Sequence, residues 1–220
     1  NFPLMPPQAS EDAVRYDQLF GAITALTIIF TILVGIVVLY LTARYKAGTK
    51  VDRKNPPTHS TTLELLWTGI PLILSLGIFY WSASHFINVR TMPKEAIDIF
   101  IIGKRWMWHT QHMNGIRENS EITVPVDKDV KLTMISQDVI HAMYIPAFRA
   151  QYHVVPGRYT QLAFKANKTG RYKMLCAMHC GTQHSEMVGW VNVLSQKDFA
   201  DWEAKGGNRY KPTVKTIAEK

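Results

Sequence analysis

The stretch CAMHCGTQHSEM, residues 176–187, gathers both cysteines of the 220-residue chain with two histidines and two methionines. Thiolates at Cys176 and Cys180 can leave one short loop in the same direction, His184 adds an imidazole and Met187 a thioether. Soft sulfur with imidazole suits copper or zinc. On the residues alone three readings stay open. A close cysteine pair outside the cytosol forms a disulfide readily. Zinc is ordinarily held by closely spaced cysteines with paired histidines, or by four cysteines; the spacing here does not exclude it, but a methionine at the end of the series favours copper. A blue-copper centre uses one cysteine, two histidines and a weak axial methionine, which leaves one cysteine too many. Two thiolates could instead bridge a pair of copper ions, each completed by one histidine and one weak ligand, and that arrangement requires a second histidine from elsewhere.

The elements that must carry this loop fall into two classes. Residues are 47% hydrophobic, but the apolar ones are unevenly placed. The uncharged run Leu19–Leu41 exceeds the ~20 residues needed to cross a bilayer core. A second, Leu65–Ile87, is of similar length and carries Pro71 near one end, with tryptophans and a tyrosine suited to membrane boundaries. The first run follows the acidic stretch SEDAVRYD rather than a basic one, so it reads as a retained span and not a secretory signal. Between the runs Arg44, Lys46, Lys50, Arg53 and Lys54 face only Asp52. Short basic loops stay on the cytoplasmic side, which puts both termini outside. His85, late in the second run, reads as a packing or interfacial residue.

From Glu95 onward the pattern changes to short β-rich runs, AIDIFII, RWMWHTQH, VKLTMIS, RYTQLAF, RYKML and GWVNVL, separated by turn residues. Such spacing argues for an antiparallel sandwich or barrel. Pro156-Gly157 fits the centre of a type II turn, and Ser195 with Asp198 three places on marks a helix start. Roughly 130 residues suffice for a hydrophobic core of their own, which weakens the case for a disulfide staple. The formal net charge is +8. A basic balance can mark nucleic-acid binding, but a membrane-anchored exported domain has little access to nucleic acid. No Walker loop, GxSxG elbow or HExxH helix is present in the sequence.

The series Cys176-x3-Cys180-Gly181-x2-His184-x2-Met187, preceded by SQDVIHAMYIPAF, closely resembles subunit II of haem–copper cytochrome c oxidases. The resemblance extends to LELLWTGIP in the second span, GKRWMWH at the start of the exported domain, and VVPGRY. It implies a membrane α-helical hairpin of two transmembrane helices plus an all-β, cupredoxin-like Greek-key sandwich. The implied cofactor is the dinuclear copper centre CuA, with a-type haem and CuB only in the partner subunit I. In that reading Cys176 and Cys180 bridge the coppers, and His141 and His184 each bind one. Met187 and the backbone carbonyl of Met178 are the weak ligands. The family usually has glutamate at Met178, where it also helps to bind magnesium, so the magnesium site is not carried over. Trp106 matches the residue through which electrons arrive from cytochrome c; Trp108 matches the second tryptophan of that segment. Arg105 stands where the family usually has glutamine. Glu64 matches a glutamate at the mouth of a proton channel, although Thr61-x-x-Glu64 also reads as a capping box at a helix start.

The expected organisation is an exported segment 1–18, a transmembrane helix 19–43, a cytoplasmic loop 44–63, a second transmembrane helix 64–89, a periplasmic copper domain 90–205 and a tail 206–220. The resemblance implies an electron-input subunit in a bacterial inner membrane, partnered by subunits I and III and by a cytochrome c, with no role for nucleic acid. A membrane-anchored copper carrier outside any oxidase is the alternative; a copper-free quinol-oxidase subunit would lack the ligands. With no Cys-x-x-Cys-His, the chain is expected to carry no covalent haem.

Overall fold

The structure is a computed structural model that describes residues 5–52 and 54–207. Its contacts divide the chain into two units, one of residues 17–86 and the other joining the N-terminal residues up to 16 with everything from 87 onward. The expected tail lies almost wholly outside the described residues.

The first unit is built from the apolar stretches of two helices, α1 (Glu11–Tyr45) and α2 (Thr61–Arg90). Their lengths correspond to roughly 50 and 45 Å, ample for a bilayer core. Neither apolar window buries a residue within the protein. Hydroxyls along them are satisfied inside the helix: Thr27 donates to the Ile23 carbonyl at 2.9 Å and Thr31 to that of Thr27 at 2.8 Å. A lipid environment requires this self-sufficiency. The chain is a membrane protein with two spanning helices.

Both helices are longer than expected, α1 chiefly at the end away from the basic loop and α2 chiefly at the end next to it. α1 begins at Glu11 because Ser10 caps it, accepting from the Ala13 N–H at 3.0 Å, with Glu11 and Asp12 in the first turn. α2 is capped by Ser60, whose hydroxyl accepts from Leu63 N–H at 3.5 Å. The expected capping box at Thr61 and Glu64 is therefore one residue out of register.

The second unit is a two-layer sandwich of ten strands: β1 Ile97–Lys104, β2 Met107–His112, β3 Arg117–Asn119, β4 Glu121–Pro125, β5 Asp129–Ser136, β6 His141–Ile145, β7 Ala150–Val154, β8 Thr160–Lys165, β9 Gly170–Cys176 and β10 Val188–Leu194. One sheet runs β3-β2-β1-β5-β8 and the other β4-β10-β9-β6-β7. The expectation of a purely antiparallel sandwich needs correction, because β1 pairs with β5 and β4 with β10 in parallel. Each parallel pair joins strands far apart in sequence, β5 returning beside β1 and β10 beside β4. Alternation sets the core: along β5, Val130, Leu132 and Met134 point inward against Ile99, Ile101, Val191 and Val193. A short helix α3 (Gln196–Ala204) starts at Ser195, whose hydroxyl accepts from Asp198 N–H at 3.1 Å, as expected.

The N-terminal segment belongs to this unit. Ala9 N–H donates to the Ala147 carbonyl at 2.9 Å, Asn167 N–H to the Ala9 carbonyl at 3.0 Å, and the buried Ser10 hydroxyl to the Phe148 carbonyl at 3.1 Å. The start of α1 is thus tied by hydrogen bonds into the sandwich unit.

Candidate metal centre

The register of the second sheet assembles the site. β6 pairs with β9 so that Met143 lies opposite Cys176, which brings His141, at the head of β6, beside the end of β9. From Cys176 the chain turns back as a loop pinned at both ends: Ala177 N–H donates to the Ala142 carbonyl at 2.8 Å and Cys176 N–H to the Met187 carbonyl at 3.2 Å. A 3-10 turn, His184–Glu186, lies between, and β10 follows.

Five side chains and one carbonyl converge there. His141 Nδ1 lies 3.9 Å from Cys176 Sγ, and the two sulfurs are 3.9 Å apart. His184 Nδ1 lies 3.5 Å from Cys180 Sγ, and Met187 Sδ 3.8 Å from it. The Met178 carbonyl is 3.2 Å from Cys176 Sγ. Both cysteines are free thiols, far beyond the ~2 Å of a bonded pair. Among the described residues, the side chains whose donor atoms all lie within 4.8 Å of one another are His141, Cys176 and Cys180; His184 approaches from the Cys180 side. The structure thus brings together all six groups expected from the sequence. Soft sulfur flanked by two imidazoles is a donor set that fits copper.

Asp138, which sequence reasoning missed, completes the site. Its Oδ1 accepts from His141 Nε2 at 2.9 Å, so the other ring nitrogen, Nδ1, faces the sulfurs. The same carboxylate accepts from the Arg105 backbone N–H at 2.9 Å and from its Nε at 3.2 Å. Burial alone would raise the Asp138 carboxyl; these hydrogen bonds and the one from Val139 N–H outweigh it and hold the group well below the carboxylate range. Burial alone would lower His141, yet its hydrogen bonds to Cys176 and Asp138 raise it. Burial also opposes ionisation of Cys176, but the His141 hydrogen bond pulls that thiol below its ordinary value. Cys180 is pushed up by burial and by the neighbouring Cys176 charge. A signal existed: an acidic residue stands three places before His141 in DVIH.

Two glycines shape the walls. A Cβ on Gly103 would meet His141 Cδ2 at 3.1 Å and Trp108 Cζ3 at 3.3 Å, so only glycine lets these rings approach. Trp108 is fully buried and meets the His141 ring edge-on, with centroids 5.8 Å apart. Trp106 is half-buried; its indole lies over Gly181 in the metal loop, at 3.4 Å from where a Cβ would stand. Gly181 has φ +122°, a conformation that favours glycine.

Glu64 stands in the other unit, in the first turn of α2, where its side chain pairs with His59 Nδ1 at 3.3 Å and is half-exposed.

Comparison with known proteins places these features in a family. Residues 73–194 match the model for the periplasmic domain of cytochrome c oxidase subunit II, and residues 3–83 that for its transmembrane domain. Subunit 2 of the cytochrome c oxidase of Cereibacter sphaeroides is 27% identical, over 91% of this chain and 80% of that protein. The Synechocystis protein of the same name is 26% identical, over 93% and 76%. Among solved structures, the periplasmic domain of subunit II of the cytochrome oxidase of Bradyrhizobium japonicum superposes with a TM-score of 0.51 and 29% identity, covering 53% of this chain and 97% of that one. The sandwich is therefore cupredoxin-like, and with one model spanning more than half the sequence and the other its helices, the chain belongs to the cytochrome c oxidase subunit II family.

Proposed function

We propose that the chain accepts electrons from a cytochrome c at a dinuclear CuA centre and passes them to haem in subunit I of a proton-pumping oxidase, where oxygen becomes water. The observation that carries the copper assignment is the pairing of each thiol with its own imidazole, Cys176 with His141 and Cys180 with His184. Cys176, Cys180, His141 and His184 would hold the copper, with Met187 and the Met178 carbonyl as weaker ligands. Copper held there would supply one-electron redox chemistry, whose speed depends on the ligand geometry changing little. The protein keeps that geometry rigid by pinning the loop to β6 and β10 and by fixing the His141 ring with Asp138. Trp106, half-buried and lying on Gly181, would offer electrons an aromatic path from the surface. Glu64, at the start of α2, would sit at the cytoplasmic mouth of a proton path in subunit I.

The proposed setting is a bacterial inner membrane, with the copper domain and both termini on the periplasmic side and subunits I and III as partners. An anchored copper carrier needs no oxidase, and purification separates the two readings. Affinity purification of this chain from its native membrane is expected to bring down a haem-bearing membrane subunit in equal amount. Recovery of the copper-loaded chain alone would favour the carrier.

A further inference from the structure

Two histidines stand in the stretch 176–187, and the proposed copper site uses one of them, His184. The other, His179, is exposed, although it lies directly between Met178 and the buried Cys180. Its ring meets the His184 ring edge-on, with centroids 5.5 Å apart. An imidazole nitrogen holds a metal ion at about 2 Å, so rings at this spacing are close enough to pass one ion between them.

The burial of the ligands shows from which side an ion can arrive. His141 is fully buried, and Cys176, Cys180 and Met187 are buried with it, whereas His184 is half-buried. Trp106 covers the loop at Gly181, and the backbone of Cys176 and Ala177 is tied to Met187 and to β6. An ion coming from solvent therefore meets the His184 edge first, and His179 stands on that edge. Met178 turns its carbonyl toward Cys176, 3.2 Å from Sγ, while the residue as a whole is 36% exposed. A thioether and an imidazole side by side at a surface are soft donors, a combination that suits copper(I). Mere cover for His184 needs no nitrogen; an aliphatic side chain would serve.

We infer that His179, with the Met178 thioether, is the entry ligand through which copper(I) reaches the centre; the inference rests on the copper reading of the site. His179 takes the ion from a soluble copper(I) complex, replacing one ligand of that complex. The His184 imidazole then displaces His179, and Cys180 binds as its thiol releases a proton to water. The ion remains copper(I) throughout, so the transfer needs no oxidant or reductant.

The test follows copper uptake rather than electron transfer. The full chain, purified copper-free in detergent with its thiols reduced and air excluded, is mixed with the copper(I) complex of bicinchoninate, whose colour fades as the protein takes the metal. His179→Leu, at an exposed loop position, is expected to load roughly tenfold more slowly, the scale at which groups around a metal site act, and to reach the same copper content with the same resistance to chelator. His179→Met, which keeps a soft donor, is expected to load at near the native rate; a rate as slow as that of the leucine variant would overturn the ligand role. Equal rates for the native and His179→Leu chains would overturn the entry role and leave the copper centre standing. Slow loading together with weaker final retention in His179→Leu would overturn it in favour of a positioning role toward His184. Failure of the native chain to take up copper at all would overturn the copper reading itself, and the entry role with it.

Discussion

At the scale of single residues, the account turns on what holds His141. The imidazole is fully buried, ringed by Trp108 and Gly103, and bound at Nε2 by Asp138. A carboxylate behind a metal-bound histidine fixes its ring and raises its basicity, and loss of such a partner costs roughly 10–100-fold in metal affinity. Asp138→Asn should therefore lower copper retention under chelator challenge by about that factor while the fold, followed by circular dichroism, is unchanged; equal retention would show that packing alone orients the ring. Gly103→Ala pushes a methyl against His141 and Trp108 in a core with no slack. It should cost about 1–3 kcal/mol of stability by thermal unfolding, and copper content should fall with it. His141 and the Met178 carbonyl came only from the family resemblance, whereas Cys176, Cys180, His184 and Met187 were legible as a spacing pattern, because a short loop keeps sequence neighbours close. Asp138, Gly103 and the Trp106–Gly181 contact were not, since each depends on a strand from elsewhere coming alongside.

At the scale of elements, the start of α1 is held by the sandwich unit to which it belongs. Ser10 is 1% exposed and bonds twice, capping α1 through Ala13 N–H and donating to Phe148. Ser10→Ala removes the cap and leaves a buried carbonyl without its donor, at a cost of about 1–2 kcal/mol. Faster hydrogen exchange at the first turn of α1, with the β-sheet amides unaffected, is the expected result; no change would mean that the Ala9 backbone bonds suffice. Composition alone made the helices and six of the strands readable. β3 is three residues long, and β4, β6 and β7 of five residues each carry too little alternation to stand out from the turns around them. The parallel pairings were invisible for a related reason: local sequence records which residues favour a strand and says nothing about which strand lies beside it.

At the scale of the whole molecule, charge bears on the electron donor. The chain carries a formal +8, and at the Trp106 surface the Asp138 carboxylate is already matched by Arg105. A strongly basic donor gains little from such a surface. Electron transfer from a basic mitochondrial-type cytochrome c is expected to change little as salt is lowered, whereas an acidic donor should speed up; a steep rise for the basic protein would contradict this. The central claim is that two thiols and two imidazoles, one imidazole to each thiol, hold two coppers as one unit. Metal counting with electron spin resonance on the purified, copper-loaded chain tests it most directly. Two coppers per chain with one unpaired electron spread over both is the predicted result, and a single blue copper, or zinc, would contradict it.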